Sequence, residues 1–396
     1  MHKPKRIIEQ LFAETGVRID GPEPWDIRVR DERFYARALK DGNLGLGESY
    51  MEGWWDCPRI DEFICRLLKG NLKDKIRGNP RTLLFYLSAR IFNRQSPARA
   101  DIIARRHYDL GNDLFFSFLD PCNQYSCGYF QGTDDLAEAQ RKKLNLICRK
   151  IDLQPGDQFL DIGCGWGGLA RYAAEHYGCT VTAVNISEEQ IRFAREYCKN
   201  LPVTILHEDY RRIRGSFDKI VSVGMFEHVG KKNYRTFMKV VHRCLKEGGI
   251  FLLHTIGSNV SRVNCDAWIN RYIFPNGMLP SIAQISRAVE DLFVIEDIHN
   301  LGPHYNKTLL SWNDRFQGAW SRLSEKYDRI FKRIWEYYFL SCAGAFCARQ
   351  IQAWQIVMTK AGAVQPLCRF GKEGENAWRS ETSSEENGGQ YAGKCS

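Results

Sequence analysis

The chain has 396 residues, of which 44% are hydrophobic, and its formal net charge is +9. This length can bury a full core and favours about two domains, which excludes a small disulfide-stapled scaffold. The 14 cysteines stand singly, without a CxxC pair or the Cys/His spacing of a zinc site, so we expect reduced thiols in a cytosolic protein. The N-terminus is basic but lacks the apolar run of a secretory signal.

The first part of the chain shows helical patterns that end at glycines. Residues 34–42 read FYARALKDG and residues 59–70 read RIDEFICRLLKG, each with apolar side chains at helical spacing. Between them, residues 44–56 place aromatic side chains beside glycines. We therefore predict a small, mostly helical N-terminal domain over residues 1–75.

A basic segment follows at residues 71–106, where nine Lys or Arg residues stand against two Asp residues. Its central part, residues 76–100, is predicted to be a basic amphipathic linker. Packing against a neighbouring helix would explain its apolar face. Basic flanks and aromatic residues suit a helix on an anionic membrane surface equally well, and the two interpretations are compatible. The segment thus predicts an anionic partner.

Apolar runs alternate with helical patterns from about residue 150 to residue 360. Seven runs have the length and composition of strands: 158–162, 180–184, 203–206, 219–223, 250–254, 293–298 and 354–359. Strands alternating with helices predict an α/β fold with a doubly wound, mostly parallel seven-stranded sheet. The longest apolar stretch, 337–348, is too short to span a bilayer and predicts a buried helix. We assign residues 101–362 to a catalytic domain and expect the polar tail at 363–396 to be disordered.

The first predicted strand leads into a glycine loop, DIGCGWGG, at residues 161–168. Its GxGxxG spacing alone is shared by nucleotide and methyl-donor folds. Asp161 would repel the pyrophosphate of a dinucleotide but attract the cationic amino group of S-adenosylmethionine, and no acid follows the second strand to bind a ribose. By fold analogy, a seven-stranded Rossmann-like sheet also matches methyltransferases. We therefore predict S-adenosylmethionine, with polar partners at Asn185, Gln190, Asp209 and Tyr210.

Eight stretches in one order make the resemblance to a known family specific. They are LGLGESYMEGWW (44–55), HYDLGNDLF (107–115), YSCGYF (125–130), LDIGCGWGG (160–168), VSVGMFEHVG (221–230), FLLHTIGS (251–258), WINRYIFPNGMLPS (268–281) and CAGAFCARQIQAWQ (342–355). Over nearly the whole chain the sequence resembles the bacterial cyclopropane fatty acid synthases. The resemblance implies methylene transfer from S-adenosylmethionine to the cis double bond of unsaturated acyl chains in membrane phospholipids. It also implies a cytoplasmic homodimer, peripherally bound to an anionic membrane surface, without nucleic acid.

The same resemblance divides the site residues into two sets. Cofactor contacts carry over to Tyr125, Ser126, Gly163, Gly165, Gln190 and Asp209. Asn185 departs from the family, which usually has Thr at the expected ribose contact. The second set is expected to hold a bicarbonate ion that acts as the base, through backbone groups of Cys127 and Ile256 and the side chains of Glu227, His254 and Tyr305.

Alternatives remain open for Glu227 and for the function. Glu227 could act directly as the base, although a buried carboxylate is costly without hydrogen bonds. Alternatively, it could satisfy a nearby backbone group or pair with an arginine. The insertion at 256–281 is predicted to form an acyl-pocket wall at the carboxyl edge of the sheet. A methyltransferase for a small molecule or nucleic acid is the runner-up, although no RNA-binding pattern accompanies the basic segment. A non-enzymatic lipid-surface protein would require neither Asp161 nor Glu227.

Overall fold

The computed structural model describes residues 2–70, 111–262 and 265–370. The whole basic segment at 71–106, with the predicted linker at 76–100, lies outside the described residues. The same holds for the tail beyond residue 370 and for the predicted domain boundary at residue 75. The predictions for these parts stay predictions.

Within residues 2–70, four helices and a two-stranded antiparallel ribbon form the N-terminal part. They are α1 (His2–Ala13), β1 (Arg28–Val29), α2 (Arg33–Asp41), α3 (Asn43–Met51), β2 (Trp55–Asp56) and α4 (Ile60–Lys69). Both predicted helices are confirmed. α2 ends at Gly42, which has a φ of 57° that glycine adopts without strain, and α4 ends at Gly70.

The other described elements alternate between helix and strand. They are α5 (Asn112–Phe118), α6 (Leu136–Lys150), β3 (Gln158–Ile162), α7 (Gly168–Tyr177), β4 (Thr180–Asn185), α8 (Glu188–Tyr197), β5 (Val203–His207), β6 (Phe217–Val223), α9 (Tyr234–Cys244), β7 (Leu245–Ser258), α10 (Ala267–Tyr272), α11 (Ile282–Val289), β8 (Val294–Asn300), α12 (Gly302–Leu323), α13 (Arg329–Cys347) and β9 (Ile351–Thr359). Each predicted strand matches one of β3 to β9. One detail is corrected: β7 continues past His254, because β9 pairs with it as far as Ser258, so the insertion starts after Ser258.

The seven strands form one sheet in the order β5-β4-β3-β6-β7-β9-β8. The strands from β5 to β7 in that order run parallel, and β9 is antiparallel to both of its neighbours. The prediction of a doubly wound sheet is therefore confirmed. β3 and β6 are adjacent, and the chain order reverses between them. Ligands of such sheets bind beyond the carboxyl ends of the strands at this switch point.

The two faces of the sheet bury different helices, because successive strand residues point to opposite faces. On one face, Phe159 and Val221 pack in a cluster with the apolar sides of α6, α7 and α8. On the other, Leu160 and Ile220 pack with α9 and α11. Helix α11 begins with a capping box in which Ser281 and Gln284 bond reciprocally. The sheet is thus covered on both sides, and its carboxyl edge is left for the site.

The N-terminal helices share a hydrophobic core with α12 and α13. Helix α3 also contacts the insertion after β7: a Cβ placed on Gly47 would lie 2.4 Å from the indole of Trp268, and Glu48 accepts a 2.9 Å hydrogen bond from the Tyr272 hydroxyl. The predicted buried helix at 337–348 is confirmed as the second half of α13, apart from its exposed end. Of the helices in the described part of the chain, none has the length and apolar character needed to cross a membrane.

Candidate active site

The glycine loop after β3 brings its backbone close to the segment that follows β6, the neighbouring strand in the sheet. Gly163 has a φ of +86° and Gly165 a φ of +55°, conformations that favour glycine. A Cβ on Gly163 would lie 2.8 Å from Cβ of Met225, which follows β6. Asp161, at the end of β3, is buried, and its Oδ2 has no hydrogen-bond partner among the residues that the structure describes. Burial raises the pKa of Asp161 to about 7, opposed by the positive charge of Lys143.

Lys143 is a site residue that the sequence analysis missed. It lies on the buried side of α6, and its Nζ donates to the Ser126 hydroxyl at 3.0 Å and to the side-chain oxygen of Gln124. Burial lowers its pKa to about 8, although Asp120 acts in the opposite direction. A lysine among the apolar positions of an amphipathic helix was the available indication. Lys143 thus holds the segment of Ser126 beside the glycine loop.

Polar residues at the ends of β4 and β5 surround the same loop. The Asn185 amide donates to the Gly165 carbonyl at 3.2 Å and to the Gln190 side-chain oxygen at 2.9 Å. Asp209 accepts hydrogen bonds from the guanidinium and backbone of Arg211, and these bonds lower its pKa to about 2. The ring of Tyr210 packs against Phe237. The structure therefore brings Asn185 and Gln190 to the loop, and Asp209 lies after the adjacent strand.

Aromatic rings fill the space between this loop and α12. The Tyr125 hydroxyl lies 3.1 Å from that of Tyr338. The ring centroid of Tyr125 lies 5.1 Å from that of Trp312 and 6.2 Å from that of Phe274. Phe274 belongs to the insertion that was predicted to form an acyl-pocket wall. These contacts place part of the insertion over the aromatic cluster.

Glu227 lies in a short 3₁₀ turn just after β6, as the sequence predicts. Its Oε1 accepts a 2.6 Å hydrogen bond from the backbone N–H of Ile256, and its buried Oε2 has no partner in residues 2–70, 111–262 and 265–370. Burial raises the pKa of Glu227 to about 7, partly offset by the bond from Ile256. The backbone N–H that resemblance assigned to the ion is thus engaged by Glu227. No guanidinium bonds to the carboxylate in the described structure, so the arginine pairing is not seen among those residues.

His254 lies within β7, next to the end of β6, rather than at the end of its own strand. The imidazole is buried, and its Nδ1 lies 3.4 Å from the amide nitrogen of Gln355. Its Nε2 bonds to none of the described residues. Burial lowers the pKa of His254 to about 3, reinforced by the charge of Lys143. The imidazole is therefore neutral at physiological pH. Gln355 was missed because it appeared as one polar residue in a buried strand pattern.

Tyr305 lies in the first turn of α12, and its ring stacks on Phe346 with centroids 4.7 Å apart. Burial raises its pKa well above the usual value, and the nearby Cys127, Tyr125 and Glu227 add to this shift. Cys127 is fully buried, with Sγ 3.6 Å from the Leu301 carbonyl. The structure thus brings Cys127 and Glu227 close enough to Tyr305 to affect its pKa.

Similarity to known proteins indicates which reaction this site catalyses. Residues 95–356, more than half of the chain, match the family described as mycolic acid cyclopropane synthetase. The chain is 52% identical over 355 residues to a cyclopropane-fatty-acyl-phospholipid synthase of Escherichia coli strain K12, and the match covers 90% of this chain and 93% of that protein. The chain belongs to the cyclopropane synthase family.

Two further relatives span the family. A tuberculostearic acid methyltransferase of Mycobacterium tuberculosis strain H37Rv is 31% identical over 388 residues, which cover 91% of this chain and 89% of that protein. The crystal structure of the mycolic acid cyclopropane synthase CmaA1, complexed with SAH and CTAB, aligns with a TM-score of 0.60 and 32% identity, covering 65% of this chain and 98% of that chain. The present cyclopropane synthase is therefore an S-adenosylmethionine-dependent methyltransferase.

The described residues fit that cofactor. The unpartnered Oδ2 of Asp161 is an acceptor suited to the cationic methionine amino group. The glycines leave room for a ligand next to the backbone, and Asn185 and Gln190 offer amides at the adjacent strand end. The Asp161 side of the switch point thus suits the cofactor.

Proposed function

We propose that a bicarbonate ion, held by Glu227, His254 and Tyr305, takes the proton whose loss closes the cyclopropane ring. The enzyme transfers a methylene group from S-adenosylmethionine to the cis double bond of unsaturated acyl chains of membrane phospholipids. The observation that carries the proposal is a pair of buried atoms, Oε2 of Glu227 and Nε2 of His254, that have no hydrogen-bond partner among the described residues. Buried polar atoms almost always have a partner. A small ligand that bonds to both atoms explains why the fold keeps them.

The chemistry sets two demands on the surrounding residues. When bound, S-adenosylmethionine supplies a methyl group on a cationic sulfur. An alkene is a weak nucleophile, so the residues must hold it in line with that methyl at close range. The carbocation formed on the acyl chain then gives a proton from the transferred carbon to a base, and the electrons of that bond close the ring. Water would intercept the cation, so the residues must also exclude water.

The aromatic cluster around Tyr125 supports the second demand. Tyr125 contacts Trp312, Phe274 and Tyr338, and Phe274 also contacts Tyr338. All four side chains are buried or partly buried. Rings of this kind can stabilise a cation through their π faces as well as exclude water. We assign them the wall that lies between the cofactor loop and the acyl chain.

The protonation states support an ion at Glu227. Tyr305 stays a phenol because its pKa is raised by burial, so its hydroxyl can donate to an anionic oxygen. His254 is neutral and can donate through one nitrogen. Oε2 of Glu227 can accept the hydroxyl proton of bicarbonate, while Ile256 holds Oε1. We therefore assign Ile256 to positioning Glu227, and Cys127 to the wall beside Tyr305.

Product analysis tests this function. Purified enzyme is incubated with methyl-labelled S-adenosylmethionine and vesicles of unsaturated phospholipid, in buffer with bicarbonate and in buffer depleted of carbon dioxide. We expect label in cyclopropane acyl chains and a slower reaction without bicarbonate, restored by adding it back. Full activity without bicarbonate would return Glu227 to the role of direct base. A methyl-branched product, or label in no lipid, would contradict ring formation.

Membrane attachment through residues 71–106 is a further part of the proposal and is supported by their charge. Each basic side chain near an anionic surface contributes about 1 kcal/mol, and salt screens this attraction. Replacing Arg81, Arg90 and Arg94 together by Gln should reduce co-sedimentation with anionic vesicles, which represent the cytoplasmic face of the membrane. If vesicle binding were unaffected by both this replacement and added salt, the membrane anchor would lie elsewhere in the chain. Light scattering at assay concentration tests the proposed homodimer.

A further inference from the structure

The partner of His254 on the neighbouring strand is Gln355. The two residues face each other in the antiparallel pairing of β7 with β9. The Gln355 side chain is fully buried, and its amide nitrogen lies 3.4 Å from Nδ1 of His254. The backbone of His254 is fixed from the other side, because its carbonyl accepts a 2.9 Å hydrogen bond from Gly224. The imidazole is thus held between β6 and β9 with Nδ1 toward Gln355.

The direction of that hydrogen bond determines where the imidazole proton lies. With the amide nitrogen of Gln355 toward the imidazole and its oxygen turned away, the NH₂ group donates and Nδ1 accepts, so Nδ1 carries no proton. A neutral imidazole has one ring N–H, which must then be on Nε2. Nε2 is the nitrogen that has no partner in the described part of the chain. The donor of His254 therefore points away from Gln355.

We propose that Gln355 is a positioning residue that keeps neutral His254 in the tautomer protonated at Nε2. Only this tautomer presents a hydrogen-bond donor to an anionic oxygen in the active site. The opposite tautomer would present a lone pair, which repels such an oxygen. The role of this donor rests on the proposed bicarbonate function, whereas the tautomer itself does not.

No other described side chain bonds to Nδ1 of His254. Lys143, Lys150 and His299 affect the imidazole through their charge and help to keep it neutral. His299 faces Gln355 from β8 on the other side of β9, and its Nδ1 lies 3.1 Å from Nζ of Lys150. His299 is therefore engaged with Lys150 and leaves Gln355 as the orienting partner of His254.

Two substitutions and one control separate this role from simple packing. Gln355→Glu is nearly isosteric, but a carboxylate accepts and so reverses the hydrogen bond at Nδ1. Gln355→Leu removes the bond without adding a charge. Gln352→Leu is the control, because Gln352 is also buried in β9 but bonds to Asn259 and the Arg349 carbonyl. Circular dichroism and S-adenosylmethionine affinity establish that each variant is folded.

Nitrogen NMR of protein labelled at its histidines reads the tautomer directly, and the His254→Ala variant assigns the His254 signals among nine histidines. We expect an Nε2-protonated ring in the wild type without bicarbonate, and loss of this preference in both Gln355 variants. Turnover should fall at least tenfold and the apparent KM for bicarbonate should rise, with cofactor affinity within twofold. Gln352→Leu should match the wild type.

An Nδ1-protonated ring in the wild type would overturn the proposal, as would wild-type turnover in both Gln355 variants. If the tautomer is as expected but bicarbonate has no effect on the wild type, the proposed ion fails and the role of Gln355 in orienting His254 stands. The two failures are thus distinguishable.

A separate observation concerns two cysteines on neighbouring helices. Sγ of Cys65 in α4 lies 2.7 Å from Sγ of Cys347 at the end of α13. The helices come this close because Gly344 has no side chain, and a Cβ there would lie 2.5 Å from the Asp61 carbonyl. Cys347 is exposed to solvent. A dissolved oxidant can therefore reach one member of a pair that is already in contact.

We infer that Cys65 and Cys347 form a disulfide when the protein meets a peroxide. The Cys347 thiolate attacks hydrogen peroxide to give a sulfenic acid and hydroxide, which takes up the thiol proton as water. The Cys65 sulfur then displaces the sulfenic hydroxyl as a second water. Two thiols are oxidised and one peroxide is reduced. The new bond ties the N-terminal helices to α13 and restricts the unfolded chain.

Peptide mapping under non-reducing conditions tests this pair after peroxide treatment of the full chain. We expect a linked Cys65–Cys347 peptide and a melting temperature a few degrees higher, both reversed by a thiol reductant. Cys65→Ser and Cys347→Ser should abolish both effects, whereas Cys342→Ser, on the same helix, should retain them. Oxidation of Cys347 to sulfinic acid without a linked peptide would overturn the inference, as would a rise that persists in Cys65→Ser.

Discussion

The two halves of the active site are each built on one buried carboxylate, and the comparison shows how neighbours assign different tasks to the same group. Asp161 lies at the carboxyl end of β3 and Glu227 follows β6, and these two strands are adjacent in the sheet. Each has one oxygen without a partner among the described residues, and burial raises the pKa of each to about 7. Asp161 lies near the positive charge of Lys143, whereas Glu227 is stabilised by neutral groups, mainly the N–H of Ile256. The first suits a cationic cofactor, and the second suits a hydroxyl donor.

Removing the carboxylate on the reaction side should have the largest effect. We expect Glu227→Gln and His254→Ala to lower turnover by about 100-fold or more, the usual contribution of a positioned proton acceptor. S-adenosylmethionine affinity should change by less than about threefold, because the cofactor contacts lie on the Asp161 side. Calorimetry and lipid product analysis measure the two quantities. A parallel loss of cofactor affinity would show that the halves are not separate.

The raised pKa of Glu227 also predicts how stability depends on pH. The folded protein keeps the proton up to pH about 7, whereas the unfolded chain loses it near 4.5. Between these values the folded state binds more protons, so stability falls as pH rises, by about 3 kcal/mol in total for this one group. In the absence of ligands, Glu227→Gln should therefore gain stability relative to the wild type at pH 8 but not at pH 4.

Urea denaturation at both pH values measures this difference. Glu247→Gln is the matched control, because Glu247 is exposed and its pKa is lowered by a hydrogen bond from Lys360. The control should show no gain at pH 8. An equal pH dependence in the wild type and in Glu227→Gln would mean that Glu227 is ionised in the free enzyme.

The sequence predicted those parts of the fold that local patterns determine. All seven strands coincide with apolar runs of the sequence, and the sheet order brings Asp161 and Glu227 to one edge as expected. Lys143 and Gln355 were missed because their roles depend on partners on other elements. The extent of β7 was also missed, since its end is set by the pairing of Ser258 with Ile351 in β9, far along the chain. Long-range pairing and buried polar contacts leave little trace in a local pattern.

The N-terminal helices should matter for the lipid side of the site and not for the cofactor side. Gly47 allows Trp268 of the insertion to pack on α3. Gly47→Ala should lower stability by about 1–3 kcal/mol through overpacking and should reduce lipid turnover, with cofactor affinity unchanged. Gly318→Ala, in α12 with open space around it, is the control and should be neutral or slightly stabilising. Equal losses of lipid turnover and cofactor affinity would contradict this division.

The smallest expected effect is at Asp161, because its neighbours already limit what the carboxylate can gain. Binding a cationic amino group requires Asp161 to lose its proton near neutral pH, and the charge of Lys143 repels the same cation. We therefore expect Asp161→Asn to weaken S-adenosylmethionine binding only about tenfold, or about 1.4 kcal/mol. At pH 6.5 the wild type should also release protons on binding, so that the measured enthalpy changes with the ionisation enthalpy of the buffer. The variant should bind without this buffer dependence. Unchanged affinity together with an unchanged buffer dependence would show that Asp161 does not face the cofactor, and the comparison with Glu227 would then rest on burial alone.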